Sequence, residues 1–231
     1  MKAVILAGGK GTRLKPYTTA IPKPLVPIGE KAILEVLINR LKQYGVDEIF
    51  ICLNHFAEII MAFLGDGSRF GIKVHYSLED KPLGTVAPIC LIKDLPENFL
   101  VMNGDLLTDL NFSVLYKYHL ESDSLITVSA YERSTKIDFG VIEVNDQNKA
   151  TGFLEKPEYK FLVSMGVYVM NRRVLDFVPP DTFYGFDNLM TTLLKEKQPV
   201  NIFRYKGYWL DIGRPDDYEK ANEDFPKMNW K

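Results

Sequence analysis

The sequence has 231 residues, of which 46% are hydrophobic and 25% charged, and its formal net charge is −2. This balance is ordinary for a globular protein and leaves no net basic charge for nucleic-acid binding. No segment reaches the roughly 20 apolar residues of a membrane span, and the apolar run after Met1-Lys2 is too short for a signal peptide. We therefore expect one cytoplasmic domain covering residues 1–231, with no nucleic-acid or membrane partner.

The first predicted element is a buried strand that ends in a glycine-rich loop. The strand is the apolar run Ala3–Ala7, and three glycines follow within residues 8–11. Glycines let backbone N–H groups approach an anion closely, and Lys10 and Arg13 add positive charge, so the loop predicts a phosphate site. The dinucleotide motif would need glycine at Leu14 and the P-loop motif would need glycine at Arg13, so neither fits. The alternative is an ordinary tight turn.

Predicted strands and helices alternate through the rest of the first half. Apolar residues recur at helical spacing in two segments, and Gly45 and Gly65 mark where those helices end. The predicted elements are helices at 33–44, 56–64 and 85–92, the last capped by Thr85, and strands at 49–53, 73–76 and 99–102. Because the strand segments are apolar on both faces, they predict a mainly parallel sheet covered by helices.

The second half, from about residue 111, contains more strands. Its predicted elements are helices at 112–119, 186–196 and 216–225 and strands at 125–131, 140–144, 151–154 and 163–170. The polar residues 145–148 separate two of these strands and predict a hairpin. Cys52 and Cys90 both lie in apolar segments, which favours buried free thiols over a disulfide or a metal site.

Two aspartates are candidate metal ligands. Asp105 follows the predicted strand at 99–102, and ligands bind at the carboxyl ends of parallel strands. Beside a phosphate loop such a carboxylate suits Mg²⁺, which favours one or two carboxylates together with phosphate oxygens. Asp211 lies between apolar residues and could supply a second carboxylate, because an unpaired acid is costly to bury. The alternatives are a helix-capping turn residue at Asp105 and a water-facing strand residue at Asp211.

Other positions could contact a phosphate or a sugar. Lys23 lies between two prolines, which restrict the backbone on either side of it. Lys156 could hold a phosphate as a point charge, and Glu155 could accept hydrogen bonds from sugar hydroxyls. Gly84 and Thr85 begin a predicted helix and could offer backbone N–H groups to a ring or a phosphate.

Taken in order, these segments resemble the motifs of the sugar-1-phosphate nucleotidyltransferase family. The matching segments are residues 3–14, 22–27, 83–85, 103–105, 139–141, 155–157 and 208–213. The likeness is greatest to mannose-1-phosphate guanylyltransferases, through residues 82–85 and 209–215. Ser164 stands where those enzymes usually carry an asparagine close to the sugar. Many relatives continue into a C-terminal left-handed β-helix domain, and we expect none here.

The resemblance implies a fold and a reaction. The fold would be a Rossmann-like, three-layer α/β/α domain with a mainly parallel mixed sheet, residues 1–110 binding the nucleotide and residues 111–231 the sugar phosphate. The reaction would be in-line attack by a sugar-1-phosphate oxygen on the α-phosphorus of an NTP, with Mg²⁺ as cofactor and pyrophosphate as the second product. GTP and mannose 1-phosphate are the favoured substrates, and a homo-oligomer, dimeric or larger, is expected by analogy.

The matching motifs also imply roles for individual residues. Arg13 would hold the departing pyrophosphate, Lys23 the α-phosphate, and Asp105 and Asp211 the metal. The residues implied in nucleotide binding are Leu6, Ala7, Gly8, Gly9, Gly11, Thr12, Arg13, Lys23, Gly84, Thr85 and Asp105. Those implied in sugar-phosphate binding are Gly140, Glu155, Lys156 and Ser164.

Several alternatives stay open at this point. The enzyme could be a uridylyl-, thymidylyl- or cytidylyltransferase acting on the 1-phosphate of glucose, an amino sugar or a heptose. A non-catalytic nucleotide-sugar sensor could use the same fold, although such subunits tend to lose the charged residues that are present here. A Rossmann oxidoreductase is disfavoured by Leu14, which replaces the third glycine of the dinucleotide motif.

Overall fold

A seven-stranded mixed sheet forms the centre of the computed structural model, which describes residues 1–228. The strands are β1 (Lys2–Leu6), β2 (Pro27–Ile28), β3 (Lys31–Ala32), β4 (Glu48–Leu53), β5 (Lys73–Leu78), β6 (Asn98–Asn103), β7 (Leu106–Thr108), β8 (Ile126–Lys136), β9 (Val141–Val144), β10 (Ala150–Leu154), β11 (Glu158–Asn171), β12 (Val200–Tyr205) and β13 (Trp209–Asp211). The helices are α1 (Ile33–Gln43), α2 (Ala57–Leu64), α3 (Phe112–Leu120), α4 (Phe186–Lys195) and α5 (Pro215–Asp224).

The central sheet has the strand order β12-β8-β11-β6-β1-β4-β5. Strand β1 is parallel to β4 and β6, β4 is parallel to β5, and β8 is parallel to β12. Strand β11 is antiparallel to both of its neighbours, β6 and β8. The expectation of a mainly parallel mixed sheet is therefore confirmed.

Helices cover both faces of this sheet because alternate side chains of the central strands point in opposite directions. Ala3 and Ile5 of β1 pack in one core cluster with apolar residues of α1, α2 and α3. Val4, between them, packs in a second cluster with Leu189 and Leu193 of α4. Both clusters are almost free of solvent contact, which explains why the central residues of β1, β4 and β6 are apolar on both faces. The predicted three-layer α/β/α architecture is confirmed.

Smaller sheets extend this centre. Strands β9 and β10 form the hairpin that the sequence predicts, β2 pairs with β3, and β7 pairs antiparallel with β13. Beyond Tyr131, β8 has no contact with β12 and continues with β11 as a two-stranded ribbon that carries the hairpin. No helix within residues 1–228 is both long and apolar enough to cross a membrane.

Some predicted elements are wrong. The helix expected at 85–92 is a 3₁₀ segment, Ala87–Leu91, and Thr85 does not cap it. The prolines around Lys23 predict an extended loop, whereas Lys23–Leu25 forms a 3₁₀ turn. Strands β2, β3, β7, β12 and β13 were not predicted, and β8 and β11 extend well beyond the predicted ranges. Cys52 is buried as expected, whereas Cys90 is exposed, although Ala87, Pro88 and Ile89 of the same 3₁₀ segment are buried.

Candidate active site

The loops that follow four parallel strands line one cleft at the carboxyl edge of the sheet. Strand β1 has β4 on one side and β6 on the other, so the loops after β1 and β6 diverge and leave a crevice between them. The cleft has a volume of about 400 Å³. Its walls include Gly8 after β1, Asn54 after β4, Glu79 after β5 and Asp105 after β6. An open sheet of this kind binds its ligand at this position.

The glycine-rich loop presents unused backbone donors to this cleft. Within residues 1–228, no hydrogen bond uses the N–H groups of residues 8–11, although the N–H of Ala7 donates to Cys52 O at 3.0 Å. Gly11 has φ of +60°, and a Cβ there would lie 3.1 Å from the Lys23 side chain. The Thr18 hydroxyl donates to Gly11 O at 2.7 Å and fixes the loop from behind. Four adjacent free N–H groups are an anion-binding arrangement.

A short 3₁₀ turn then directs Arg13 away from the first cleft. The turn spans Thr12–Leu14, and its anchor is Leu14, which is completely buried. Arg13, between Thr12 and Leu14, is exposed. Its guanidinium lies close to Gly213, because a Cβ built on Gly213 would be 3.5 Å from a guanidinium nitrogen of Arg13. Arg13 therefore lies at the end of the loop, next to the segment that carries Asp211.

Lys23, Asp105 and Asp211 form one charged group although they are far apart in the sequence. The Lys23 ammonium forms an ion pair with Asp105 Oδ2 and lies 3.9 Å from Asp211 Oδ1. The Gly104 N–H donates to Leu6 O at 2.9 Å, which fixes Asp105 next to the glycine-rich loop. Pairing of Leu106 with Asp211 in β7 and β13 brings the second carboxylate to the same place.

The two carboxylates influence each other. Burial and the nearby negative charge of Asp105 raise the pKa of Asp211, while the positive charges of Lys23 and Arg13 oppose that rise. Two acids held together are costly unless a cation lies near both, and Lys23 supplies one positive charge. This arrangement is suited to bind a further cation.

The same pair fits a magnesium ion. Asp105 Oδ1 and Asp211 Oδ1 are both buried and accept no hydrogen bond from the described residues. No cluster of three or more His, Cys, Asp or Glu side chains that could hold a metal occurs within residues 1–228. A site with two carboxylates and free oxygens suits Mg²⁺, which completes its six ligands with water and phosphate oxygens. Asp105 and Asp211 are the residues that would hold it.

The far wall of the cleft contains Gly84 and Thr85. Gly84 has φ of +93°, and a Cβ there would lie 2.7 Å from Tyr184 O, so the position requires glycine. Thr85 Oγ1 accepts a hydrogen bond from Phe186 N at 2.8 Å and so fixes the start of α4. The N–H groups of the next two residues donate to Tyr184 O, so they are not available to a ligand.

Glu79 is a cleft residue that the sequence motifs did not identify. Its Oε2 accepts a hydrogen bond from Leu83 N at 2.9 Å, and its Oε1 faces Gly8, where a Cβ would lie 3.0 Å away. Burial raises the pKa of this carboxyl. The predicted strand ended at Tyr76, whereas β5 runs to Leu78, so the correct strand end would have placed Glu79 at the ligand edge.

The residues implied in sugar-phosphate binding lie outside this cleft. Gly140, Glu155 and Lys156 flank the β9–β10 hairpin and are exposed. Ser164, on β11, shares a hydrogen bond of 3.1 Å with the Tyr168 hydroxyl. Burial raises the pKa of Tyr168 to about 12, so this hydroxyl stays protonated at neutral pH. The structure thus brings Lys23 and the proposed metal residues together, places Gly140, Glu155 and Lys156 on a separate hairpin arm, and leaves Ser164 in the central sheet.

Asp211, which lies 3.9 Å from Lys23 of the first cleft, lines a second cleft. Its volume is about 370 Å³, and Arg13 and Asp211 lie in its wall together with three cationic residues that the motifs did not identify. These are Arg133, Arg214 and Lys220. Arg214 lies within the matching segment 209–215 but was given no role, and the only sequence signal at Arg133 and Lys220 is charge, since their proximity depends on the way β8 and α5 pack.

Comparisons with known proteins agree on one family. A family model described as nucleotidyl transferase matches residues 2–228. The chain is 33% identical over 241 residues to a UTP–glucose-1-phosphate uridylyltransferase of Synechocystis sp., covering 96% of this chain and 62% of that protein. It is 34% identical over 235 residues to a probable mannose-1-phosphate guanylyltransferase 1 of Oryza sativa subsp. japonica, covering 94% and 63%.

A solved structure has the same fold over its whole length. HddC from Yersinia pseudotuberculosis, crystallised in complex with GMP-PN, matches with a TM-score of 0.74 and 29% identity. The match covers 97% of this chain and 99% of that chain. By contrast, the chain spans a little over three fifths of the length of the curated relatives it matches.

Proposed function

The chain belongs to the nucleotidyl transferase family, and on that premise we propose that it joins an NTP and a sugar 1-phosphate into an NDP-sugar and releases pyrophosphate. The observation that carries the proposal is the contact between two features. A loop with four unused N–H groups lies beside Lys23, Asp105 and Asp211, at the edge where this type of sheet binds ligands. Phosphoryl transfer needs mainly positioning and charge neutralisation, and this site supplies both.

The proposed mechanism assigns one task to each group. The N–H groups of residues 8–11 and the loop that continues to Thr12 hold the triphosphate, and Lys23 neutralises charge at the α-phosphate. A sugar-phosphate oxygen forms a bond to the α-phosphorus, and the bond from that phosphorus to the bridging oxygen breaks. The electron pair leaves with pyrophosphate, which Arg13 binds through its planar fork. The attacking phosphate is already ionised at neutral pH, so no general base is required.

A divalent metal is part of this proposal. Mg²⁺ held by Asp105 and Asp211 would neutralise charge on the reacting phosphates. The two buried oxygens without hydrogen bonds support this assignment.

Among the bases, we favour guanine because of Glu79. Guanine presents an N1–H and an adjacent amino group, which a carboxylate accepts as a pair, whereas uracil presents a single N–H between two carbonyls. Glu79 Oε1 has no hydrogen-bond donor within residues 1–228, and it faces the same cleft as the glycine-rich loop. Mannose 1-phosphate is the favoured sugar phosphate by similarity to the guanylyltransferases. The uridylyltransferase from Synechocystis makes UTP with glucose 1-phosphate the second candidate pair.

The test is pyrophosphate release with Mg²⁺, measured for four NTPs against a panel of hexose, hexosamine and heptose 1-phosphates. We expect turnover with GTP and mannose 1-phosphate above every other pair. Glu79→Gln keeps the shape of the side chain but removes the second acceptor oxygen, so it should lower kcat/KM for GTP roughly tenfold or more while changing that for UTP little.

Three outcomes would revise the proposal. Turnover with UTP and glucose 1-phosphate, unaffected by Glu79→Gln, would replace guanine by uracil and remove Glu79 from base recognition. Turnover with a different sugar would retain the reaction and change the acceptor. No turnover across the panel, from protein that gives a cooperative melting transition, would contradict the enzyme assignment and favour a nucleotide-sugar sensor.

A further inference from the structure

The second cleft combines four cations with an aromatic floor. Arg13, Arg133, Arg214 and Lys220 surround it. The Tyr131 and Trp209 rings form the floor with their centroids 5.4 Å apart, and the Trp209 indole N–H donates to Met165 O at 2.9 Å. That hydrogen bond fixes the floor, so the cleft is shaped before any ligand arrives.

Three different parts of the fold supply the cations. Arg13 follows the glycine-rich loop, and Arg133 lies two residues after Tyr131 on β8, so both β8 side chains point to the same face. Arg214 immediately precedes α5, where its N–H donates to Asp217 Oδ2 at 3.0 Å. Lys220 lies on that helix. These four residues are far apart in the sequence, so the cleft that they line forms only when the chain folds.

The carboxylates in this cleft offset only part of its positive charge. Within residues 1–228, none of the four forms an ion pair, although the Asp211 and Asp217 carboxylates line the same cleft. Four cations facing two carboxylates leave an excess of positive charge next to the proposed reacting centre. Such an excess favours a ligand that carries several negative charges.

The family motif already assigns the leaving pyrophosphate to Arg13. We propose that Arg133 and Arg214, in the walls of the same cleft, also position this pyrophosphoryl group, first as the β- and γ-phosphates of the NTP and then as pyrophosphate. The inference rests on the proposed function. As the bond at the α-phosphorus breaks, negative charge accumulates on the leaving group, and guanidinium groups already in place stabilise that charge. Arginine suits this task because its planar fork binds two phosphate oxygens at once.

A sugar phosphate is a poorer occupant. It carries one phosphate, whereas the pyrophosphoryl group carries two and so gains more from four cations. Gly140, Glu155 and Lys156, which the motifs assign to the sugar phosphate, flank the hairpin, Ser164 lies on β11, and none of them lines this cleft. Charge and placement together favour the pyrophosphoryl group.

The test is direct binding of inorganic pyrophosphate, in the presence of Mg²⁺, measured by calorimetry on the full chain. We expect Arg133→Ala and Arg214→Ala each to weaken the Kd about tenfold or more, since a hydrogen bond to a charged group contributes at least that factor. Arg133→Lys, which keeps the charge and loses the fork, should fall between wild type and Arg133→Ala. Arg204→Ala is the matched control, because Arg204 is an exposed arginine on β12 that lines neither cleft.

Unchanged pyrophosphate binding in both alanine variants, with melting temperatures like that of the wild type, would overturn the proposal. In steady-state kinetics, a rise in KM for the sugar phosphate alone would also overturn it and give the cleft to the other substrate, whereas a rise in KM for the NTP supports it. The binding assay needs no turnover. If the substrate panel fails while both variants still lose pyrophosphate binding, the cleft assignment stands and the proposed reaction does not.

Discussion

The Lys23 side chain occupies the space between the two carboxylates that we propose as metal ligands. Its ammonium pairs with Asp105 and lies 3.9 Å from Asp211, and the lysine is only 9% exposed. Lys23 therefore provides the positive charge there when no metal is bound. A divalent cation must displace this ammonium or overcome its repulsion, which amounts to about 4 kcal/mol per charge pair at 4 Å in an environment of intermediate polarity.

We predict that Lys23→Met binds Mg²⁺ more tightly than the wild type in the absence of nucleotide, by about tenfold or more. Methionine keeps most of the apolar stem and removes the competing charge. Competition with Mn²⁺, followed by its electron paramagnetic resonance signal, measures this affinity without any turnover. Lys23→Arg is the control, because it keeps the charge and should leave the affinity low. Equal metal affinity in wild type and Lys23→Met would show that the ammonium does not compete for this position.

At the residue scale, sequence reasoning succeeded where a residue's position depends on its own segment. The glycine-rich loop, Lys23 and Asp105 lie in short local patterns, and the structure places them around one cleft. Glu79 and Arg133 were missed for different reasons. Glu79 could be identified only if the end of β5 had been predicted correctly. Arg133 lies on the part of β8 that continues past its last residue paired with β12, which the sequence did not predict. Neither fact can be read from residue types alone.

At the scale of elements, Glu48 joins three strands at the amino edge of the sheet, opposite the cleft. Its carboxylate lies 2.7 Å from the Lys2 ammonium on β1, 2.6 Å from His75 Nε2 and 3.3 Å from the Lys73 ammonium, both on β5. The hydrogen bond from Lys2, with smaller contributions from His75 and Lys73, lowers the pKa of Glu48 to about 2. The negative charge of the Glu48 carboxylate therefore stabilises the folded state relative to the unfolded state.

We predict that Glu48→Gln lowers the free energy of unfolding at pH 7 by about 1–2 kcal/mol after allowance for solvent screening. The folded-state pKa lies below the ordinary value of 4.5, so the stabilisation is complete above that pH and disappears as the pH falls towards 2. Urea unfolding of both proteins between pH 7 and pH 2.5 should show curves that converge in acid. Activity at pH 7 should be unchanged, because the residue lies at the far edge of the sheet. A difference in stability that is independent of pH would contradict the ionic explanation.

The elements predicted best are those whose apolar pattern is long and continuous. The apolar residues of helix α1 and of strands β1, β4 and β6 are buried in the core clusters, so their spacing in the sequence follows from burial. Strand β12 was missed because it lies at the sheet edge, where its side chains alternate between partly buried and exposed and arginine is tolerated. The segment at 85–92 was predicted to be a helix from its cap residue and apolar content, but the structure buries three consecutive residues of it, Ala87, Pro88 and Ile89. The N–H groups of Val86 and Ala87 donate to Tyr184 O, which fixes the start of the 3₁₀ segment.

At the scale of the whole molecule, the two predicted halves share both a sheet and a site. Strand β6 of the first half pairs with β11 of the second in the central sheet, and β7 pairs with β13. The second pairing holds Asp211 beside Asp105. The single-domain organisation of residues 1–231 stays a prediction, and this shared hydrogen bonding gives it a physical basis.

We predict one cooperative thermal transition, and a ligand that bridges both halves should shift the whole transition. A nucleotide at one hundred times its Kd adds about 2.7 kcal/mol, which corresponds to a rise in Tm of roughly 5–10 °C for a chain of this size. Calorimetric scans with GTP and Mg²⁺ measure this shift. Sugar phosphate alone should raise the Tm less, because most of the residues proposed to bind it lie on the separate hairpin arm. Asp105→Asn should lose most of the metal-dependent part of the shift. Two resolved transitions, of which nucleotide raises the Tm of only one, would contradict this expectation. That result would mean that the halves unfold separately and that the β6–β11 pairing does not couple them.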